Sequence, residues 1–395
     1  MKRIATLLGT SGLHDATISA VNRAPITGEA CFLIAFSLAG LFIIWYTIAV
    51  IGIVKEVFMK PRAKKILNFA FIFGTLAVVL LIGFNGQEMT GAVEALKSIG
   101  PQWIILCALA WVGYLLFDAL SVHHFLKSQG HGIPLRSSLF VAISGMYYSN
   151  ITPGATGGQP MQVYYLKKRN VPIGIGTSAL TVKLFAFQFM LAVLGTILWI
   201  AYKDYIALQL GGNMWILIIG YVYNVIIVAF TVMMATSKRL VHFFVMLVIK
   251  AGVKLRLIKD PATTRAKWED VIDTFHNSVM MITRRPVDLV IQLLIATAQI
   301  LSLMAVTFFI YHAFRLTGTT YGQITALGIM LYTSAAYTPL PGASGAQEGV
   351  FALYFSQVFP DGIRLMALLL WRFFTYYFTL IVGAIVSVAN GFRKK

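Results

Sequence analysis

Charge is scarce in this chain. Asp, Glu, Lys and Arg make up 12% of its 395 residues, about half of what a soluble domain carries. Acidic residues are scarcest, with 14 Asp and Glu against 32 Lys and Arg. Cysteine is nearly absent: Cys31 and Cys107 leave no disulfide framework and no thiolate metal site. No Walker A pattern, GxSxG elbow or HExxH pair occurs, which excludes P-loop nucleotide binding and the commonest hydrolase chemistries. No acid, base and nucleophile set marks an enzyme, and no cofactor or metal is expected. The stretch after Lys2-Arg3 is mixed and polar, without the apolar core of a cleavable signal peptide. Residues 1–30 therefore read as an extramembrane or interfacial segment, ahead of a single transmembrane domain over 31–395.

What is abundant is apolar: 58% of the residues. Several uncharged runs approach or exceed the ~20 residues that cross a bilayer. They are Cys31–Val54, Ile66–Phe84, Leu184–Tyr202, Trp215–Ala235, Leu289–Tyr311 and Phe373–Phe392, with a further apolar stretch from about Trp103 to Leu126. An all-α polytopic membrane protein follows.

The net charge of +18 fits membrane topology better than a nucleic-acid partner, because basic residues gather in loops on one side. Lys55–Lys65 holds five Lys and Arg against Glu56, while Asn85–Gly100 holds Glu88, Glu94 and Lys97. The first loop is expected to be cytoplasmic and the second external. Thr236–Pro286, with ten basic and four acidic residues, is the expected cytoplasmic connection. Within it Leu240–Leu257 pairs an apolar body with Lys250, Lys254 and Arg256, as an interfacial helix on anionic headgroups does; a short membrane helix with basic caps is the plainer alternative. This tracing puts the N-terminus outside, which Lys2 and Arg3 oppose.

Two apolar segments are interrupted by Pro and Gly: Ser137–Leu166 and Tyr321–Phe359. Their centres read Pro153-Gly154-Ala155-Thr156-Gly157-Gly158-Gln159-Pro160 and Pro341-Gly342-Ala343-Ser344-Gly345-Ala346-Gln347-Glu348, an offset of 188 residues. A basic residue follows each in an apolar stretch, Lys183 after 30 residues and Arg372 after 31. Loop charge predicts that both ends of each segment lie on one side, cytoplasmic for the first and external for the second. Two inverted-topology repeats result, about 66–202 and 287–392, each with a re-entrant Pro-Gly helical hairpin. Paired, broken hydrophobic segments in two halves point to a transporter binding site. The plainer alternative is a pair of tight helix-hairpin turns.

A helix interrupted at membrane depth presents free N–H groups that suit an anion, and a phospholipid phosphate is the anion at hand. Intramembrane ionisable residues are functional candidates. Lys183 and Arg372 would bind that phosphate, or form structural ion pairs, Arg372 with Glu348 and Lys183 with a partner for which Asp118 is one candidate that sequence alone does not assign. Glu348 is also read as a helix cap, a proton carrier or a site for a cationic headgroup. Candidate lining residues are Tyr147, Tyr148, Asn150, Thr152, Gln159, Gln162, Tyr337, Thr338 and Gln347. His123 and His124 face different sides of a helix and do not share a metal.

Pro341 through Gly349 and Leu370-Trp371-Arg372-Phe373-Phe374-Thr375-Tyr376-Tyr377 resemble the signature of the lysylphosphatidylglycerol synthase transmembrane family, which includes the flippase domain of the multiple peptide resistance factor. Pro153-Gly154 through Leu166 resembles its first hairpin, and the resemblance runs from about Lys64 to the C-terminus. It implies translocation of aminoacylated phosphatidylglycerol, such as lysylphosphatidylglycerol, to the outer leaflet of a bacterial inner membrane, giving resistance to cationic antimicrobial peptides. It further implies a homodimer, and a substrate site at the two hairpins: Pro153, Gly154, Gly157, Gly158, Gln159, Lys183, Pro341, Gly342, Gly345, Gln347, Glu348 and Arg372. Three departures stand out. Gly158-Gln159-Pro160 lacks the Gly-Glu of the family's first hairpin. Asp118 and His123-His124 replace an Arg-rich stretch. No soluble aminoacyltransferase domain follows Lys395, so a separate aminoacyl-phospholipid synthase is expected as a partner. A polyprenyl-phosphate or glycolipid transporter, a membrane subunit of a headgroup-modifying synthase and a non-transporting scaffold are the competing readings.

Overall fold

The structure, a computed structural model, describes residues 99–243, 245–246, 261–335, 338 and 340–392. The expected spans Cys31–Val54 and Ile66–Phe84, the loop 55–65, most of the interfacial segment Leu240–Leu257, and Tyr337 lie outside the described residues. Among the described residues every regular element is helical. Helices α1 (Pro101–Ser128), α2 (Leu135–Asn150), α3 (Gly158–Lys167), α4 (Ile173–Ala201), α5 (Lys203–Leu210) and α6 (Met214–Thr236) form the first set. Helices α7 (Pro261–Thr283), α8 (Pro286–Ala313), α9 (Tyr321–Ala335), α10 (Ala346–Tyr354), α11 (Asp361–Arg372) and α12 (Phe378–Phe392) form the second. A π turn, Phe373–Tyr377, joins α11 to α12 without a break.

Five stretches are long and apolar enough to cross a membrane: Pro101–Ser128, Ile173–Ala201, Lys203–Met233, Pro286–Ala313 and Asp361–Ser387. At 1.5 Å per residue the shortest of them, 27 residues, reaches about 40 Å, beyond the ~30 Å hydrocarbon core. Apolar side chains cover the outside of several, for example Ile197 and Ile200 on α4 and Ile218, Val222 and Ile226 on α6. A soluble protein would hide such faces; a lipid-facing one exposes them. Two details depart from the sequence expectation. Helix α4 begins at Ile173, eleven residues ahead of the uncharged run from Leu184, and carries Lys183 within it. The polar connection also contains the amphipathic helix α7, which rests on α4 through Ser178 Oγ donating to the Phe275 carbonyl at 3.0 Å.

The most extensive packing among the described helices is between α1 and α8. They run antiparallel, joined by a ladder of polar contacts. Cys107 Sγ lies 3.8 Å from the Val306 carbonyl. Gln299 Nε2 donates to Asp118 at 3.2 Å. Ser121 Oγ donates to Gln292 Oε1 at 2.6 Å, and Gln292 Nε2 returns a bond to the Ser121 carbonyl at 3.0 Å. Where lipid offers no competing partner, such bonds between helices contribute about 0.6 kcal/mol each and up to about 1.7.

Each Pro-Gly segment is seated in its own apolar core. Val122, Phe125, Leu126, Leu166 and Leu180 enclose α2–α3. Phe351, Phe355, Phe359 and Trp371 enclose α9–α10, with Phe351 stacked on Trp371 at 5.0 Å between centroids.

Candidate functional site

The two interruptions share one backbone. Pro153–Ala155 and Pro341–Ala343 are single 3₁₀ turns. Gly154 has φ 58° and ψ 24°, and Gly342 has φ 59° and ψ 20°. The alanine after each is also left-handed, with φ 55° at Ala155 and 49° at Ala343. Two successive left-handed residues reverse the chain, and only glycine takes the first without steric cost. The two turns pack against each other, so the tips of the broken segments meet, with Gly154, Ala155 and Thr156 of the first exposed. Tyr376, from the π turn, spans the junction. Its hydroxyl donates to the Asn150 carbonyl at 3.2 Å, and its ring fills the space where a Cβ on Gly342 would lie.

The turns diverge two residues later, at Gly345 and Gly157. Gly345, which precedes α10, has φ 87°, and its N–H donates to Glu348 Oε2 at 2.7 Å. Glu348 thus caps the helix it belongs to. The corresponding position in the first segment is Pro160, which offers no acceptor. There the Gly157 N–H donates to Thr152 Oγ1 at 2.9 Å instead, a hydroxyl doing the work of the missing carboxylate.

The two basic residues have separate surroundings. Arg372 is buried and fully engaged. Its Nε donates to Glu348 Oε1 at 2.6 Å, Nη1 to Gln347 Oε1 at 2.7 Å, and both terminal nitrogens reach the Gly342 carbonyl at 3.3 Å. One planar guanidinium ties α11 to the turn and to the first residues of α10, which a lysine ammonium would not do in that geometry. Lys183 Nζ donates to Asp118 Oδ2 at 2.9 Å, linking α4 to α1. The other oxygen of Asp118 takes the Gln299 amide.

A cavity of about 240 Å³ opens at the second of these pairs. Asp118, Lys183 and Gln299 line it together with Ser149, Asn150, Gln159 and Gln162 of the first broken segment and Thr375 and Thr379 from the C-terminal span. Tyr114 and Phe187 supply its aromatic surface. It draws on α1, α2, α3, α4, α8, the π turn and α12, so it sits between the first broken segment and the spans around it.

Of the residues singled out in sequence, Asp118, Lys183, Gln159, Asn150 and Gln162 converge on this cavity. Gly158 shapes its wall from behind: a Cβ there would run into Ser149 Oγ. Gly342, Gly345, Gln347, Glu348 and Arg372 form the clasp of the second turn and do not line the cavity. Gly154 and Gly157 build the first turn, while Pro341 is buried at the start of the second. His124 lies toward the end of α1, 3.5 Å from Asp288 on α8. Gln299 escaped the sequence reading, although Asp288, Gln292 and Gln299 recur on one face of an otherwise apolar helix, the spacing that marks a polar stripe inside a bundle. Among the described residues no group of His, Cys, Asp and Glu is arranged to hold a metal.

Comparison with known proteins places this architecture. The family described as "Lysylphosphatidylglycerol synthase TM region" matches residues 65–383. A UPF0104 membrane protein of Archaeoglobus fulgidus is 23% identical over 320 residues, 80% of this chain and 94% of the relative. A UPF0104 membrane protein of Methanocaldococcus jannaschii is 24% identical over 126 residues, 31% of this chain and 35% of the relative. The chain belongs to the lysylphosphatidylglycerol synthase TM-region family, and with its five membrane-length helices it is a multi-pass membrane protein.

Proposed function

We propose that this family member moves a phospholipid from one leaflet of the membrane to the other. The polar cavity at Asp118 and Lys183 receives the headgroup, and the acyl chains stay in the bilayer. The observation that carries the reading is the cavity itself: about 240 Å³ lined by both polar and apolar side chains, as a lipid headgroup and its glycerol ester end require, among helices whose outer faces suit lipid. An ion pair at that depth costs several kcal/mol to desolvate and so calls for a function. The matched turns support an inverted-repeat architecture with two re-entrant hairpins, in which binding falls beside the point where the hairpins meet. Membership of the family supports aminoacylated phosphatidylglycerol as cargo, carried to the outer leaflet of a bacterial inner membrane and lowering its attraction for cationic peptides. A separate synthase would supply that lipid, and the working unit would be a homodimer.

In this reading the headgroup lies against the Asp118–Lys183 pair, which stays joined and shapes one border of its site. The Arg372–Glu348 clasp holds the second hairpin in shape rather than touching cargo. The test is leaflet exchange of fluorescent phosphatidylglycerol and lysylphosphatidylglycerol in proteoliposomes. Wild type is expected to accelerate exchange, and Lys183→Met and Asp118→Asn to lose at least about tenfold at matched folding. Exchange by the two variants at the wild-type rate, or none by a well-folded wild type, would overturn the reading.

A further inference from the structure

The cavity's charges cancel. Asp118 and Lys183 are its only ionised lining residues, and at 2.9 Å they neutralise each other. Its remaining polar lining is uncharged. Four carboxamides, Asn150, Gln159, Gln162 and Gln299, share it with the hydroxyls of Tyr114, Ser149, Thr375 and Thr379. Gln299 spends an amide proton on Asp118 and Gln162 one on the Val141 carbonyl. Thr375 donates to the Trp371 carbonyl and Thr379 accepts from Trp111 Nε1, so Ser149, Asn150 and Gln159 carry most of the readout. A carboxamide donates and accepts at once, as a hydroxyl does, so several around one small space match a ligand rich in hydroxyls. A multiply charged ligand would find one ammonium already held by a carboxylate. Binding there would leave Asp118 with only the Gln299 amide, and an unpaired buried carboxylate is strongly disfavoured.

Resting on the reading of this cavity as the headgroup site of a lipid translocator, we infer that it selects its lipid through headgroup hydroxyls rather than through charge. The class it takes is a polyhydroxylated headgroup, either the glycerol of phosphatidylglycerol or a sugar. Aminoacylation of phosphatidylglycerol esterifies one glycerol hydroxyl and leaves the other, so an aminoacylated lipid keeps part of what the cavity reads. The amino acid then lies toward the cavity mouth, near Gln159, which is exposed.

The experiment uses the purified full-length chain in nanodiscs and compares binding of dioleoyl phosphatidylglycerol, phosphatidylethanolamine, phosphatidic acid and monoglucosyl diacylglycerol by native mass spectrometry. The first three share a phosphate, and the fourth has none. Phosphatidylglycerol and the glucosyl lipid are expected to bind within about threefold of each other. The other two are expected to bind at least about tenfold more weakly, the equivalent of one or two lost hydrogen bonds. Gln159→Leu, on the exposed first turn of α3 where folding is little affected, is expected to erase most of that preference. Stronger binding of the glucosyl lipid than of phosphatidylglycerol would assign the hydroxyls to a sugar. An order that follows charge, with phosphatidic acid ahead and the glucosyl lipid unbound, would overturn the hydroxyl inference and leave lipid translocation standing. Absence of leaflet exchange for every lipid in the same preparation would remove both.

Discussion

Gln299 donates its amide to one oxygen of Asp118 at 3.2 Å while Lys183 holds the other at 2.9 Å. The carboxylate is thus fixed from α8 and from α4 at once, and three helices meet at one side chain. An amide opposite the ammonium keeps the carboxylate's orientation without adding charge.

Breaking this junction at one member leaves its partner buried alone. Lys183→Met and Asp118→Asn are each expected to destabilise the protein by about 3 kcal/mol, and the double variant by less than the sum of the two. Thermal unfolding of the four proteins in detergent checks this. Additive losses would show that the two residues do not act as a pair.

The clasp of the second turn discriminates between cations. Arg372→Lys keeps the charge but loses the fork that reaches Glu348, Gln347 and Gly342 together. It is expected to cost about 1–3 kcal/mol, and Arg372→Ala about 3–5. If both variants melted with wild type, Arg372 would not be holding the turn.

The two turn glycines share a backbone but not a neighbourhood. Gly154→Ala meets little beyond Thr156 Cγ2 at 3.8 Å, so the left-handed φ sets its cost at about 1–2 kcal/mol. Gly342→Ala runs into the Tyr376 ring, which adds about 1–3 kcal/mol of overpacking. The second substitution should lower the melting temperature further, and Gly342→Ala with Tyr376→Leu should recover part of the difference.

Thr152 takes over a carboxylate's task at the first turn. Thr152→Val removes the acceptor for the Gly157 N–H and is expected to cost about 1 kcal/mol, as losing a helix cap does. Thr152→Ser keeps the hydroxyl and should lie close to wild type. Unfolding midpoints of the two variants check the assignment.

Much of this was legible in the chain. The apolar runs placed α1, α4, α6, α8 and the C-terminal span, because lipid demands long uncharged helices whatever their neighbours. The paired Pro-Gly motifs announced two turns whose φ values agree within a few degrees, since glycine is the residue that such a turn tolerates. Arg372 and Glu348 were nameable as partners because they lie on consecutive elements. The cavity was harder to foresee. Gln299 and Asp118 stand 181 residues apart, and no local pattern states which faces of α1 and α8 come together. Arg372 and Lys183 looked equivalent by spacing, yet one is spent on a clasp and the other faces the cavity. That difference follows from the carboxylate beside each: Glu348 lies on the turn's own helix, Asp118 on another span.

The way each turn is fastened sets how stiff each half is. The second is cross-tied to its following span by a guanidinium that must lose several bonds before anything shifts. The first is closed by a threonine on its own strand of chain, and its following span is tied elsewhere, to α1. Under the lipid entry proposed above, displacement is expected to concentrate in α2 and α3, which carry Ser149, Gln159 and Gln162. The rigid half then serves as an anvil and the compliant half as the part that yields, so the cavity widens from one side only.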